Sequence, residues 1–522
     1  MSPRALPLLL VGATAALAAC GGDDAPGTDA GQTCAPPAAQ LPTMGPLLTV
    51  ADLELPANCV AGGLVDLPGR WFVADLSQTF TFSYPKFAGS CTEGFREPFA
   101  TPDDNDETDG FSRFTWSDGT RYFARSYWRF EFGGGMIFEF VRATGACLLP
   151  DGTMAYSSGR FDTDNGERVS HLTGERFAVR DAPALGLTEV GRLSTYGDPL
   201  DPQIIEGLNV VVDAGIAYVA GLTGLDIIDV TDPARPVHRA HMVGPDDDGF
   251  NDVRVVRGGG RVIAFASALN GDVTSVLDVT DPTAPFALPA IGEYSHSVQV
   301  RVDGARTLLY LANYTNSIPV FDVTIPAQPV RLGAPLVPGE EHGIHDLFVD
   351  GDVIYANNTT GGMVAIDVSA GLDQPAVELG RIATTYSHAS WAATINGRKI
   401  VIHGDEGMTP DGGAFMRILD GDPTSPTYMQ ELSRYRSRTQ VGIHNMEIVG
   451  TRAYVAHYQD GVRIVELADP TQPVEVAHFN TWDEATAPGA SFEGAVGYRP
   501  GANGLSYVAD IASGLIILRE TP

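Results

Sequence analysis

Residues Gly224 to Val237, GLDIIDVTDPARPV, constrain the chain more than any other stretch, because variants of them recur to the C-terminus. Hydrophobic bursts of this form are centred at Asp229, Asp278, Asp322, Asp367, Asp420, Glu466 and Arg519, 44 to 53 residues apart. A period in the mid-forties is the spacing of a β-propeller, where each repeat forms one four-stranded blade.

The internal order of a repeat is clearest from His345 to Ser369. There an alternating strand, a Gly turn, an apolar strand, a small-residue turn and a third strand ending in Asp-Val follow one another. Such short, punctuated runs have the period of strands, not of helices. The Asp-Pro-x-x-Pro that follows in most copies ends the third strand, since proline fixes its own backbone and cannot donate to a ladder. A fourth strand then leads outward, as in PVHRAHMV. The last repeat stops at Glu520, after its third strand, whereas Leu187 to Pro199, LTEVGRLSTYGDP, reads like a fourth strand placed before the first repeat. Residues 184–522 are therefore expected to form an all-β, seven-bladed propeller whose last blade is completed by the segment that precedes the first, leaving no open sheet edge.

GLDIIDVTDPARPV resembles the LVIVD repeat of bacterial and archaeal surface proteins, and the resemblance extends from about Leu187 to Glu520. It implies a propeller and leaves the activity open. Three repeats depart from the motif: Ser369-Ala370-Gly371 stands where others have Asp-Pro, Gly421 replaces Val, and no such turn follows Arg519.

At the start of the chain, residues 1–20 carry Arg4, an apolar run from Ala5 to Leu17, and Leu17-Ala18-Ala19-Cys20. This pattern is a secretory signal ending in a lipobox, with Cys20 as the lipidated residue. Gly21 in the following position favours the outer membrane or cell surface. Residues 21–40, rich in Gly, Ala, Pro and Asp, are expected to be a disordered tether. In residues 41–183 aromatic side chains crowd into alternating runs such as Arg121 to Phe132, RYFARSYWRFEF, which predict a smaller antiparallel β domain. Its Leu67 to Leu76 stretch, LPGRWFVADL, is similar to the Gly-x-Trp opening of lipocalin-like barrels. Cys34, Cys59, Cys91 and Cys147 form an even set in an exported chain, so two disulfides are expected, in any of three pairings.

With 33 basic and 65 acidic residues the net charge is −32. That excess disfavours nucleic acid and anionic lipid as partners. The lipid anchor is then the chain's link to the membrane, because no second apolar run reaches the ~20 residues that span a bilayer. A monomer is expected. The acidic clusters 102–110, 162–166 and 245–252 lack the spacing of a twelve-residue calcium loop and read as solvated turns.

Histidines carry the chemistry. His296, His345, His388 and His444 each stand where an innermost strand starts. The end of the second strand lies beside that start in an antiparallel pair, which adds His403, His457 and Asp510 at the same channel mouth, where Glu493 also converges, with Asp405 and Glu406 close behind. Neutral imidazoles from neighbouring blades suit a transition metal, Cu, Zn, Fe or Mn. The competing reading is structural, with histidine propagated by repeat duplication. Two functions are compatible with the sequence. One is a lipid-anchored surface module binding a protein or a glycan. The other is a metal-dependent hydrolase or oxidase with His345, His388, His403, His444, His457 and Asp510 as candidate ligands and Glu493 or Asp405 as base.

Overall fold

The computed structural model describes residues 53–521 except 67–68, 74–77, 83–91, 97–109, 118, 133–135, 163–165, 177–183, 195–206, 246–247, 340–342, 385, 408–413, 439–440 and 483–493. Two compact units divide between Val179 and Arg180.

The first unit is a single antiparallel sheet of eight strands: β1 (Gly69–Val73), β2 (Gln78–Phe82), β3 (Thr92–Arg96), β4 (Gly110–Ser117), β5 (Tyr122–Phe132), β6 (Met136–Leu148), β7 (Met154–Asp162) and β8 (Gly166–Arg176). From β3 to β8 each strand pairs with its successor, and β1 pairs with both β2 and β8. The two edges of the sheet among the described residues are β2 and β3. Strand alternation buries Val141 and Ala143 while Arg142 between them faces solvent. Leu64, Tyr122, Ala146, Met154 and Tyr156 pack together as the core. Of the four cysteines, Cys59 is bonded to Cys147, tying the segment before β1 to β6. Cys34 and Cys91 lie outside the described residues, as do Cys20 and the whole of residues 1–40.

The second unit is a propeller. Among the described residues it contains seven antiparallel sheets: five of four consecutive strands, one of four consecutive strands joined by Ala184–Leu185, and one of three consecutive strands joined by Leu187–Leu193. Their innermost strands are Asn209–Asp213, Phe250–Gly258, Ser297–Asp303, Asp346–Asp350, Ser387–Ile395, Met446–Val449 and Ala495–Pro500, which start blades one to seven. The third strand of blade one, Gly224–Asp229, is buried on both faces, which is why it reads as a continuous apolar run and not as an alternation. Its outer strand, Val237–Met242, is exposed or half-buried throughout. Cores form between neighbouring blades: Tyr310, Ile318 and Val320 of blade three pack with Ile354, Val364 and Ile366 of blade four. Truncating a residue such as Ile354 to Ala in this setting costs about 2–5 kcal/mol.

The repeat motif is explained by its carboxylate as much as by its prolines. Asp229 Oδ1 accepts hydrogen bonds from the backbone N–H and the hydroxyl of Thr231, at 3.0 and 2.6 Å. Asp278 and Asp322 hold the backbone N–H two residues on in the same way. In blade four Asp367 caps Ser369, so the turn survives without Asp-Pro. Gly421 is required by space in blade five, where a Cβ would lie 2.7 Å from the Ile400 carbonyl carbon.

Leu187–Leu193 pairs with Gly514–Glu520 and supplies the outer strand of blade seven. The preceding Ala184–Leu185 adds a fifth strand to blade six beside His478 and Phe479. The Arg499 side chain of blade seven donates to the Val210 carbonyl of blade one at 3.3 Å, where the two ends of the ring meet.

Candidate functional site

One mouth of the channel is built where the innermost strands start. The backbone N–H groups of Leu208, His296, His345 and His444 donate to Ala220, Ala312, Asn357 and Ala456 at the ends of the second strands, 2.6 to 3.0 Å away. These residues are therefore structural equivalents. His388 occupies the same place in blade five within a register shift between Ser387 and Ala389, a bulge of the kind that re-aims a side chain.

Four imidazoles consequently form an arc across blades three to six. Ring centroids are 4.1 Å apart for His296 and His345, 4.5 Å for His345 and His388, and 4.0 Å for His388 and His444. Tyrosines line the arc. Tyr314 lies 4.7 Å from His296 and 5.5 Å from His345, Tyr386 lies 5.6 Å from His345, and Tyr458 lies 5.1 Å from His444. Tyr294 stacks on Tyr314 at 6.4 Å. Glu406 completes the group: its Oε2 is 3.8 Å from His388 Nε2, and its other oxygen accepts the phenolic hydrogen of Tyr458.

The loops that present these groups are locked between blades. Tyr314 and Tyr458 follow the second strands of their blades with φ of 54° and 43°, a left-handed conformation that costs energy for non-glycine residues and concentrates at functional sites. Glycines of the next blade fit against them. A Cβ at Gly343 would stand 2.4 Å from the Tyr314 carbonyl oxygen, one at Gly494 2.4 Å from that of Tyr458, and one at Gly442 2.2 Å from that of Glu406. The sequence signal is Gly-Ile-His, Gly343-Ile344-His345 and Gly442-Ile443-His444. In each, the glycine seats the previous blade's mouth residue and the histidine joins the arc two positions later.

Burial sets the protonation states. It holds the His296 and His444 imidazoles at about 4, and His345 and His388 well below the usual histidine range. All four rings are neutral at pH 7. The Glu406 carboxyl is pushed up to about 7 by burial, opposed by the Tyr458 hydrogen bond. The Tyr458 hydroxyl is driven well above its ordinary range by burial and by Glu406.

The remaining sequence candidates are placed elsewhere. His403 pairs in register with Ser390, is fully buried, and shares a 2.8 Å hydrogen bond with the Ser387 hydroxyl. Asp405, on the same strand face two residues on, accepts from Arg417 Nε at 3.2 Å, and it is the next residue, Glu406, that turns into the mouth. His457 Nε2 accepts from the Ser437 backbone N–H at 3.5 Å. Asp510 caps the turn at Ala512 and Ser513. Glu493 lies outside the described residues. His296 and the tyrosines were absent from the expected ligand set.

The residues immediately after the arc have a separate role. Asp252 accepts from Asn209 of blade one and from the Val298 N–H of blade three, and the Ser297 hydroxyl donates to Asp346 of blade four at 2.6 Å. This second row stitches blades together, and burial with the nearby Asp252 charge raises the Asp346 carboxyl to about 6. In the acidic 245–252 segment, Asp248 accepts from the N–H groups of Asn270 and Gly271.

Fold and site define a repeat β-propeller with an imidazole and tyrosine mouth. The chain carries LVIVD repeats, matched at residues 208–240 and 444–481. Among solved structures it is similar to Raptor of Chaetomium thermophilum, at 10% identity and a TM-score of 0.47, over 64% of this chain and 29% of that one. It is also similar to the computationally designed Ika8 protein, at 11% identity and a TM-score of 0.40, over 63% of this chain and 99% of that one. The chain thus covers less than a third of Raptor. None of the curated proteins compared with it matches.

Proposed function

We propose that the chain is an extracytoplasmic binding module, tethered to the membrane through Cys20, whose propeller mouth binds a glycan. The LVIVD-repeat propeller supports a binding or scaffold role. One observation favours a glycan: tyrosine and neutral imidazole side chains from four consecutive blades converge on one opening, with Tyr314 40% exposed at its rim. Aromatic rings present flat apolar faces with a polar tip, and a neutral imidazole offers both a donor and an acceptor. Together they match the alternating C–H faces and hydroxyls of a sugar. The test is titration of soluble oligosaccharides, selected on a glycan array, into the tag-free protein. Tyr314→Ala combined with Tyr386→Ala should weaken binding at least tenfold with an unchanged melting temperature. An array without a hit, or binding indifferent to both substitutions, would remove the glycan reading.

A further inference from the structure

We infer that His345, His388 and Glu406 bind one divalent transition-metal ion. Each offers a ligand atom, and the three atoms lie within 4.8 Å of one another. About 2 Å metal bonds place tetrahedral ligand atoms roughly 3.4 Å apart, so small side-chain rotations close the site. The His388 to Glu406 separation of 3.8 Å is already near that value.

The second observation is an unmet requirement for partners. His345 and His388 are only 6% and 3% exposed, and the Nδ1 atom of each has no hydrogen-bond partner among the described residues. Buried polar atoms are nearly always satisfied, and leaving one orphaned is costly. The orphan nitrogens are the Nδ1 atoms, whereas the His388 nitrogen 3.8 Å from Glu406 is Nε2, so the two imidazoles bring more polar capacity to the carboxylate than the described residues satisfy. A cation between them and Glu406 supplies a partner for imidazole lone pairs.

The surroundings are arranged as an outer shell. Tyr458 donates to Glu406 and orients its carboxylate. His444, next in the arc, donates its Nδ1–H to the Val496 carbonyl at 2.7 Å, which leaves Nε2 as the nitrogen with the lone pair. Two imidazoles and one carboxylate select a first-row ion such as Zn(II), Cu(II), Fe(II) or Mn(II) over calcium or magnesium, which prefer all-oxygen sites.

A second grouping in the molecule provides the contrast. Asp226, His238 and His241 are equally close, but Asp226 Oδ1 is hydrogen-bonded to both rings, at 2.7 and 2.9 Å, and the other nitrogen of His241 is bonded to the Thr223 carbonyl. These polar groups satisfy one another without an ion.

The inference is independent of glycan binding and is tested without any sugar. The tag-free protein lacking residues 1–20, first stripped with chelator and dialysed, is titrated separately with Zn(II), Cu(II) and Mn(II) by calorimetry and by thermal melting. One equivalent of at least one ion should bind and raise the melting temperature. His345→Ala, His388→Ala and Glu406→Gln should each weaken that binding at least tenfold, while His238→Ala should not. Melting in chelator reports whether each variant folds, and Glu406→Gln, the least disruptive, stands as the test if a histidine variant does not. Absence of stoichiometric binding by all three ions would overturn the inference. So would binding unaffected by Glu406→Gln or lost with His238→Ala.

Discussion

Glu406, just past the second strand of blade five, accepts the phenolic hydrogen of Tyr458, which occupies the equivalent loop of blade six. Both groups are withdrawn from solvent, with Tyr458 only 3% exposed. Removing a donor from a buried acceptor costs about 1–3 kcal/mol, more than the bond's own net contribution, because the acceptor remains desolvated. Tyr458→Phe should therefore lower stability by about that amount in denaturant titration, with the mouth otherwise intact. A change below about 0.5 kcal/mol would mean that this bond does not hold the loop.

The closing strand Leu187–Leu193 should behave as part of the propeller. Leu187 is 2% exposed and pairs with Glu520 at the far end of the sequence. A chain starting at Leu200 leaves the edge of blade seven unpaired and should be less stable than one starting at Ala184 by about 3 kcal/mol, from the lost apolar burial and strand hydrogen bonds. Equal unfolding midpoints for the two chains would contradict closure.

Acid should weaken the repeat turns together. Hydrogen bonds from Thr231 and Arg239 hold the Asp229 carboxyl at about 2, and those from Thr283, Thr324 and Thr471 depress Asp281, Asp322 and Asp469. A carboxyl whose folded value lies below its unfolded value binds fewer protons in the native state. Its stabilisation is therefore present above about pH 4 and is lost as pH falls towards 2. Melting temperature should fall steeply across that window, and Asp229→Asn should flatten the fall. A profile unchanged by the substitution would assign the acid sensitivity to other groups.

Cys20→Ser should release the protein from the membrane fraction, because lipidation supplies the apolar anchor in the proposed localisation. Fractionation of cells expressing each form, with a high-salt wash, checks this. Retention of the variant would assign membrane association to something other than the lipobox.

The sequence by itself determined the propeller. Its evidence is local and repeated: the apolar third strands, the Gly turns and the Asp caps recur at one period, and the unmatched strand from Leu187 answers the missing strand after Glu520. Strand starts are legible too, so His296, His345, His388 and His444 are assigned to one mouth by the repeat alone. The tertiary structure decided which neighbours face them. His403 and Asp405 share a strand face that period two directs towards Ser387 and Arg417, whereas Glu406, one residue further and with its N–H still bonded to the Tyr386 carbonyl, reaches the opening. The bulge between Ser387 and Ala389, which re-aims His388 on the facing strand, is likewise marked by no apolar pattern. The tyrosines were hidden for a related reason. Their placement comes from left-handed loop residues braced by glycines of the following blade, and that contact exists only when two repeats are packed side by side.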